Sequence, residues 1–426
     1  MDYYLVGIKG TGMSALASYL YDLGNNVVGS DLDEDFGFEK DLIKRNIKTF
    51  SFSKDNIKPN YVYIIGNAYH LENIEVQTIV RNDYKYYYYH EFISTLPGIK
   101  IGICGTHGKT TTSTFIKQLL SDEPIAYIIG DGSGYADMNY QYLIYESCEY
   151  QDHFLTYKPD ILVITNIDYD HPDYFKSINQ TINSFYKASK NANKVITLSD
   201  INYKIIKNEI NRTLIMIENK IIEVNLVGEH NIKNFVLAYK VLKELGFSDD
   251  YIKNKIKNIM LPKRRTEESV IKDNILIEDY AHHPTEIKAL YNMLEVKYPN
   301  KKKVVIFQPH TYSRTLAFSN NFKKVLSLFD DVYIDNVFTS KREPYNKELE
   351  NKVNNIFKAF KKYNDLDFKT LNNHVIVLLG AGTVNKRFKE KFIIYEKEWK
   401  YFHFRLKKEK YWVIILNEVI ITFKYL

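Results

Sequence analysis

The segment Gly105-Thr106-His107-Gly108-Lys109-Thr110 has the residue types and spacing of a phosphate-binding loop. An apolar run containing Ile103 precedes it, and a helical pattern over residues 110–120 follows. Backbone N–H groups at a helix N-terminus attract an anion, a lysine adds positive charge, and a threonine hydroxyl can ligate Mg²⁺. The common motif G-x-x-x-x-G-K-[ST] would need glycine at position 103, so only the shorter G-T-x-G-K-T core is present. We predict that this loop, with Thr111, binds a nucleoside triphosphate.

Acidic and imidazole side chains follow two further strand patterns. Glu146 ends the apolar run over residues 143–146, and His171 follows the run over residues 161–165. In open α/β sheets, ligands collect at the carboxyl ends of the strands. We therefore expect Glu146 and His171 to lie near the phosphate loop, where they can hold a metal ion against a phosphate.

Polar groups of the second half of the chain form two more candidate sites. Asn231 and Asn234 are three residues apart on a predicted helix and share a face, so they can read a base edge, or Asn231 can simply cap the helix. Asp279, His282 and His283 follow one strand pattern, and His310 and Arg314 follow another. An arginine at a strand end suits a phosphate or a carboxylate, whereas no third ligand spacing supports zinc.

The elements that must position these groups alternate between strand and helix patterns. Residues 3–8 form a strand, the turn 7–12 carries three glycines, residues 13–23 are helical in period, and a second strand leads to Asp31. This is a Rossmann-like opening, in which glycines let the backbone approach a diphosphate and the acid reaches a ribose or a base. The spacing G-x-x-G-x-G differs from the dinucleotide fingerprint, so a phosphorylated nucleotide is a better prediction than a nicotinamide cofactor.

The predicted fold class is α/β, with three domains in series. The boundaries fall at two short linker-like segments, 96–98 and 261–265, and divide the chain into a Rossmann-like N-terminal domain (1–97), a P-loop-type central domain (98–262) and an α/β C-terminal domain (263–384). Strand patterns near residues 275–278, 303–307, 331–334 and 375–379 mark the third domain. An atypical basic extension (385–426) follows.

Composition excludes several classes of protein. The 426 residues are 45% apolar and 26% charged, an ordinary globular balance. The two cysteines show no paired spacing, no signal peptide is visible, and no apolar run is long enough to span a bilayer, which favours a cytoplasmic protein without a membrane span. Residues 385–426 carry eleven Lys and Arg against five Glu and account for the whole net charge of +6, so the neutral body gives no reason to expect nucleic acid as a partner.

Taken together and in this order, these blocks resemble the Mur ligases, in particular those that join L-alanine to UDP-N-acetylmuramate. The resemblance covers residues 1 to about 384 and is carried by residues 7–14, 105–112, 148–175, His230, Asn231, Asn234, residues 263–265, 279–286 and 308–310. It implies a UDP-sugar-binding domain, an ATPase domain and a C-terminal ligase domain that closes over ATP and the amino acid. It also implies that ATP phosphorylates the lactyl carboxylate of the sugar nucleotide and that the amine of L-alanine attacks the acyl phosphate.

The resemblance also implies roles for single residues. Lys109 neutralises phosphates, Thr110, Glu146 and His171 hold Mg²⁺, and Arg265 meets the γ-phosphate from the third domain. Asn231 and Asn234 contact the adenine side and Asp279 the ribose. Gly10 to Ser14, that is Gly10, Thr11, Gly12, Met13 and Ser14, bind the UDP diphosphate, and Asp31 lies near the uridine. The region of the amino acid and the acyl phosphate is lined by His282, His283, His310 and Arg314, and His283 is counted among the catalytic residues. We expect a monomer or a weak homodimer.

Two questions stay open at this level. The 42 residues after position 384 have three strand-like runs, 399–406, 411–416 and 419–425, which suggest either a β-meander for a partner or an anionic surface, or a neutral extension. The function also has alternatives: a sister ligase that adds a preformed tripeptide to the same sugar nucleotide, and a catalytically inactive nucleotide-binding homologue. A Rossmann-type oxidoreductase is disfavoured by the phosphate loop.

Overall fold

The structure is a computed structural model that describes residues 1–33, 39–339, 343–406, 411–416 and 419–424. Its three large sheets follow one another along the chain, and each is flanked by helices. The predicted α/β class with three successive units is thereby confirmed. We call these the N-terminal, middle and C-terminal units. No helix in the described ranges is long and apolar enough to cross a membrane.

The N-terminal unit is a parallel five-stranded sheet in the order β3-β2-β1-β4-β5. The strand order places the glycine turn after β1 at the centre of the sheet edge, as in nucleotide-binding Rossmann folds. Its elements are β1 (Asp2–Val6), α1 (Thr11–Asp22), β2 (Asn26–Asp31), α2 (Lys40–Lys44), β3 (Lys48–Ser51), β4 (Val62–Ile65), α3 (Ile74–Arg81), β5 (Tyr86–Tyr88) and α4 (Tyr89–Thr95).

The middle unit has a six-stranded sheet in the order β11-β10-β6-β9-β7-β8, in which only β8 runs antiparallel to its neighbour, and a small antiparallel sheet β12-β13-β14. Its apolar strands, such as β10 with four buried residues, are covered on both faces. The elements are β6 (Ile99–Cys104), α5 (Lys109–Leu119), β7 (Ile125–Ile128), β8 (Gly134–Ala136), β9 (Tyr142–Glu146), β10 (Ile161–Ile164), α6 (Ile178–Ser189), β11 (Lys194–Ile196), β12 (Tyr203–Asn208), β13 (Thr213–Ile217), β14 (Lys220–Val224), α7 (Glu229–Glu244) and α8 (Asp249–Ile256).

The C-terminal unit is built on a six-stranded sheet in the order β15-β16-β20-β17-β18-β19, parallel except for β15. The strands that we expected near residues 275–278, 303–307, 331–334 and 375–379 are all present. The elements are β15 (Glu267–Ile271), β16 (Asn274–Asp279), α9 (Pro284–Lys297), β17 (Lys303–Phe307), α10 (Tyr312–Ala317), α11 (Ser319–Leu326), β18 (Asp331–Ile334), α12 (Lys347–Ile356), β19 (Lys361–Lys362), β20 (Val375–Leu379) and α13 (Val384–Leu406).

The end of the chain differs in part from our expectation. The strand predicted over residues 399–406 is wrong, because α13 (Val384–Leu406) runs through it. Phe388 and Phe392 lie four residues apart and pack on Phe368, and the Lys and Glu content favours continuation of the helix over the alternation of aromatics. The two later strands are confirmed as an antiparallel hairpin of β21 (Tyr411–Leu416) and β22 (Val419–Lys424). The predicted turns 407–410 and 417–418 and residue 425 lie outside the described residues.

The first turns of α13 belong to the core of the C-terminal unit. Phe388 is fully buried, and the Arg387 guanidinium lies 2.6 Å from the carboxylate of Asp335. The extension that we placed after residue 384 therefore starts within a packed helix. A domain boundary after residue 384 stays a prediction. A cut there would remove the buried Phe388 from the core of the C-terminal unit, a consequence that the sequence did not reveal.

Candidate active site where the three units meet

The phosphate loop connects β6 to α5 and needs glycine at two positions. Gly105 has a φ of +135°, and a Cβ there would lie 1.9 Å from the Thr165 hydroxyl oxygen. Gly108, the residue before α5, has a φ of +82°, and its Cβ would lie 2.4 Å from Asn234 Oδ1. Both conformations are rare for other residues. The loop is thus fitted against β10 on one side and α7 on the other, with the start of α5 facing the centre of the molecule.

Lys109 is held by a carboxylate that the sequence prediction missed. Its Nζ lies 2.8 Å from Glu149 Oε2, and His171 Nε2 lies 3.4 Å from Glu149 Oε1. Burial would raise the pKa of Glu149, but Lys109 and then His171 lower it to about 2. Glu149 therefore fixes the lysine and the histidine beside each other as an ion-paired group.

Glu146 ends β9 and faces the same space. Its Oε1 accepts a hydrogen bond of 2.7 Å from the Gly130 N–H. Burial raises the pKa of Glu146, although the Gly130 N–H and Lys109 oppose that change. A cation that approaches such a desolvated carboxylate stabilises its charged form.

His107 connects the phosphate loop to the C-terminal unit. Its Nε2 lies 3.2 Å from Asp168 Oδ2, and its Nδ1 lies 3.4 Å from Glu286 Oε1 of α9. Burial would lower the pKa of His107, but hydrogen bonds to Asp168 and Glu286 raise it to about 9. The imidazolium form therefore bridges two carboxylates from different units. Thr285 strengthens this contact by donating to Asp168 Oδ2 at 2.7 Å.

A second bridge between these units is made by Arg314 of α10. Its guanidinium donates to both oxygens of Asp170, at 2.8 and 3.0 Å, and both side chains are buried. Arg314 also lies 3.1 Å from His310 Nδ1. Burial would raise the pKa of Asp170, but Arg314 holds it well below its usual range. The pair fixes α10 against the loop that follows β10.

Arg265 lies between the middle and C-terminal units. Its guanidinium carbon is 5.2 Å from the centre of the Tyr280 ring, and its Nη1 is 3.5 Å from Glu286 Oε1. Asp279, at the end of β16, accepts hydrogen bonds from the N–H groups of Thr266 and Ala281. Burial raises the pKa of Asp279, and Arg265 opposes that change.

Two cavities meet at the phosphate loop and share His107, Gly108, Arg265 and Glu286. The first, of about 590 Å³, lies between the middle and C-terminal units. The second, of about 470 Å³, lies where all three units meet. We call the first the nucleotide cavity, because the phosphate loop borders it, and the second the junction cavity, because residues of all three units line it.

Most of the predicted site residues line one of these cavities. Those of the nucleotide cavity are His107, Gly108, Thr111, Asn231, Asn234, Arg265 and Asp279. Those of the junction cavity are Gly10, Thr11, Gly12, Met13, Thr106, His107, Gly108, Lys109, Thr110, Glu146, His171, Arg265, His282 and Arg314.

Five predicted residues line neither cavity. His283 is 3% exposed, and its Nδ1 accepts a hydrogen bond from the Thr285 N–H, so it caps α9 beside His107, and its catalytic role stays a prediction. Asp31 accepts hydrogen bonds from the Lys9 N–H and the Tyr69 hydroxyl and thereby stabilises the glycine turn. The others are Ser14 in α1, Gly105 in the phosphate loop and His310 next to Arg314.

Four carboxylates of the site were not predicted, namely Glu149, Asp168, Asp170 and Glu286. All four stand within three residues of a predicted site residue. Three of them also follow the strands β9 and β10, so the strand-end rule gave a signal for Glu149, Asp168 and Asp170. Glu286 had the weaker signal of a capping residue at the third position of a helix.

Comparison with known proteins shows similarity along almost the whole chain. Residues 2–97 match the Mur ligase family catalytic domain, and residues 103–215 match the Mur ligase middle domain. A UDP-N-acetylmuramate–L-alanine ligase of Pediococcus pentosaceus is 34% identical over 420 residues, covering 90% of this chain and 96% of the relative.

Two solved structures extend the similarity to the fold. The UDP-N-acetylmuramate–alanine ligase MurC of Thermotoga maritima superposes with a TM-score of 0.75 at 23% identity, covering 92% of this chain and 99% of the other. A murein peptide ligase from Psychrobacter arcticus gives a TM-score of 0.66 at 18% identity, covering 91% and 98%. The similarity therefore includes all three units and not only the phosphate loop.

Proposed function

The chain belongs to the Mur ligase family, and we propose from this premise that it is an ATP-dependent ligase that joins L-alanine to the lactyl carboxylate of UDP-N-acetylmuramate. The observation that carries the proposal is the junction cavity. It brings Lys109 of the phosphate loop, the glycine turn of the N-terminal unit and Arg314 of the C-terminal unit around one space. A reaction that needs a nucleotide, a sugar nucleotide and an amino acid together requires a site of this kind.

The nucleotide cavity suits ATP. Asn234 of α7, Asp279 at the end of β16 and Gly108, which precedes α5, all line it. We propose that Asn231 and Asn234 face the adenine, Asp279 the ribose, and the backbone of residues 105–111 the phosphates. Lys109 and Arg265 then neutralise phosphate charge from the middle and C-terminal units.

The residues at the junction cavity fit Mg²⁺ in part. The buried carboxylate of Glu146 and the hydroxyl of Thr110 are the hard oxygen ligands that this ion prefers, whereas the His171 nitrogen is a less usual ligand and is paired with Glu149. We propose that Thr110 and Glu146 hold Mg²⁺ and that His171 lies beside the ion. When bound, the ion would neutralise charge on the phosphates.

The chain's own groups account for the steps that follow binding. A carboxylate becomes an electrophile only after its oxygen is converted to a leaving group, and phosphoryl transfer depends mainly on positioning and charge neutralisation. We propose that Lys109 and Arg265 hold the γ-phosphate against the lactyl carboxylate. Arg314 and His282 would orient the acyl phosphate and the amino acid. Burial lowers the pKa of His282 to about 4, so at neutral pH its imidazole is neutral.

Phosphate release by the purified protein tests the proposal. The protein is incubated with Mg²⁺-ATP and UDP-N-acetylmuramate, and L-alanine, glycine, L-serine and the preformed tripeptide are added in separate reactions. Release that depends on L-alanine, with formation of the amide product by mass spectrometry, is the expected result. Release with the tripeptide alone would assign the chain to the sister activity, and no release with any amine would identify an inactive homologue.

A further inference from the structure

Glu286 occupies a position that the start of α9 fixes rigidly. It is the third residue of that helix, and its Oε2 accepts the backbone N–H of His282 at 3.0 Å and of His283 at 3.3 Å. This reciprocal arrangement is a capping box, in which the acidic side chain satisfies backbone donors ahead of the helix. One oxygen of the carboxylate is therefore used to hold the helix terminus.

The other oxygen faces two cations from different parts of the site. Oε1 lies 3.4 Å from Nδ1 of His107 in the phosphate loop and 3.5 Å from Nη1 of Arg265. The side chain of Glu286 is 11% exposed, so water screens these contacts weakly. Burial would raise the pKa of Glu286, but His282, His107 and Arg265 hold it well below its usual range.

Arg265 itself lies in an irregular segment. The residues on either side of it, Arg264 and Thr266, have φ values of +57° and +51°, and no helix or strand includes it. Its guanidinium is oriented by the face of Tyr280 and by Glu286. A charged group in such a segment needs partners of this kind to keep the geometry that phosphoryl transfer requires.

We propose that Glu286 is a positioning residue for phosphoryl transfer, which holds Arg265 against the phosphate loop through the contact of one carboxylate oxygen with both Arg265 and His107. This inference rests on the proposed function, because it concerns the same site. Glu286 acts through its two neighbours. It fixes the distance between the arginine of the C-terminal side and the loop of the middle unit.

The substitution Glu286→Gln separates this role from helix capping. The amide oxygen of glutamine can still accept the two backbone N–H groups, whereas the negative charge that faces His107 and Arg265 is lost. The chain offers a matched control in Glu91, the capping-box residue of α4, whose Oε2 accepts the Tyr88 N–H at 2.8 Å. Glu91→Gln makes the same chemical change at a side chain that lines neither cavity, because Tyr89 is the residue of α4 that faces the junction cavity.

The experiment measures steady-state kinetics and melting temperature of the wild type and both variants. For Glu286→Gln we expect the melting temperature to fall by several degrees, because His107 and Arg265 lose a buried carboxylate partner. At a temperature where the variant is fully folded, we expect kcat to fall by about tenfold or more and the KM for UDP-N-acetylmuramate to stay within about twofold. Glu91→Gln should change none of these quantities. An unchanged kcat in folded Glu286→Gln, or a loss of activity that matches the unfolded fraction at the assay temperature, would overturn the proposal.

A double-variant cycle tests the contact directly. If Glu286 acts through its bond to His107, the kcat loss of Glu286→Gln combined with His107→Asn is smaller than the product of the two single losses. Losses that multiply would show that the two residues act independently, and the proposal would fail. Turnover by the wild type in the same assay keeps this outcome distinct from a failure of the proposed function, in which the wild type itself forms no amide.

Discussion

The buried ion pair between Asp170 and Arg314 gives the sharpest quantitative prediction for the contact between the middle and C-terminal units. Its two hydrogen bonds are 2.8 and 3.0 Å long, and the side chains are only 7% and 5% exposed. Removal of one partner of such a pair leaves the other charge buried without compensation, which costs about 3 to 5 kcal/mol. Asp170→Asn keeps the shape and the oxygen that accepts the His171 N–H, so we expect the lower end of this range.

The assay is hydrogen exchange of the backbone amides of α10, which carries Arg314. A loss of about 3 kcal/mol corresponds to local opening that is roughly a hundredfold more frequent. Because burial tends to raise the pKa of Asp170 while Arg314 keeps it well below the usual value, the carboxylate contributes at any pH above about 4 and loses its contribution only below that. The effect of Asp170→Asn should therefore be the same at pH 6 and at pH 8.

Two further variants make the reasoning refutable. Asp170→Asn with Arg314→Met removes both charges, so much of the protection of α10 should return, because no unpaired charge stays buried. Glu209→Gln breaks the surface pair of Glu209 with Arg212, whose side chains are 33% and 50% exposed, and should leave the exchange of α10 unchanged. If Asp170→Asn exchanges like the wild type, or the double variant exchanges faster than the single one, the pair does not hold α10 as we argue.

Three other predictions follow from the same contacts. Lys109→Ala should lower turnover by about a thousandfold or more, because the phosphates lose their nearest cation; phosphate release near the wild-type rate would refute the site assignment. The raised pKa of His107, about 9 against about 6.5 in an unfolded chain, gives a stabilisation of about 3 kcal/mol that is fully present below pH 6.5 and lost as the pH rises through 9. Melting temperatures between pH 6 and 10 should therefore fall more steeply for the wild type than for His107→Asn, and equal slopes would contradict this. Truncation after residue 384 removes Phe388, which is fully buried, and should cost folded protein, whereas truncation after residue 406 should keep ligase activity; equal activity of the two truncated proteins would show that α13 is dispensable.

Much of the fold could be predicted from the sequence because its strands are continuous apolar runs that end in polar groups. Examples are β9, which ends at Glu146, and β1, which leads into the glycine turn. A buried parallel strand of this kind leaves a clear signal in the sequence. The region 399–406 failed because its aromatic residues alternate like a strand, while the helix that contains it is set by packing of earlier residues such as Phe388. Tertiary packing overrode the local pattern there.

The candidate site could be predicted only in part for a different reason. Strand ends predict which residues face the centre, and Lys109, Glu146 and His171, which this rule selected, line the junction cavity. It gives no information about pairs formed between units, such as Arg314 with Asp170, which are 144 residues apart in the chain. The same limit applies to His283, whose Nδ1 caps α9 and whose catalytic role stays a prediction.

The ion pairs of the site also share one feature. Three cations that we propose to face phosphate or carboxylate groups already have carboxylate partners: Lys109 has Glu149, Arg265 has Glu286, and Arg314 has Asp170. A cation buried without a partner is costly, so these carboxylates make it possible to keep strong positive charge inside the molecule. An anionic substrate must then compete with the protein's own carboxylates for each cation. The affinity for an anionic substrate therefore depends on a difference in free energy, between the cation's ion pair with the substrate and its ion pair with the protein's own carboxylate. Removal of a carboxylate such as Glu149 should change the affinity for the substrate as well as the stability of the protein.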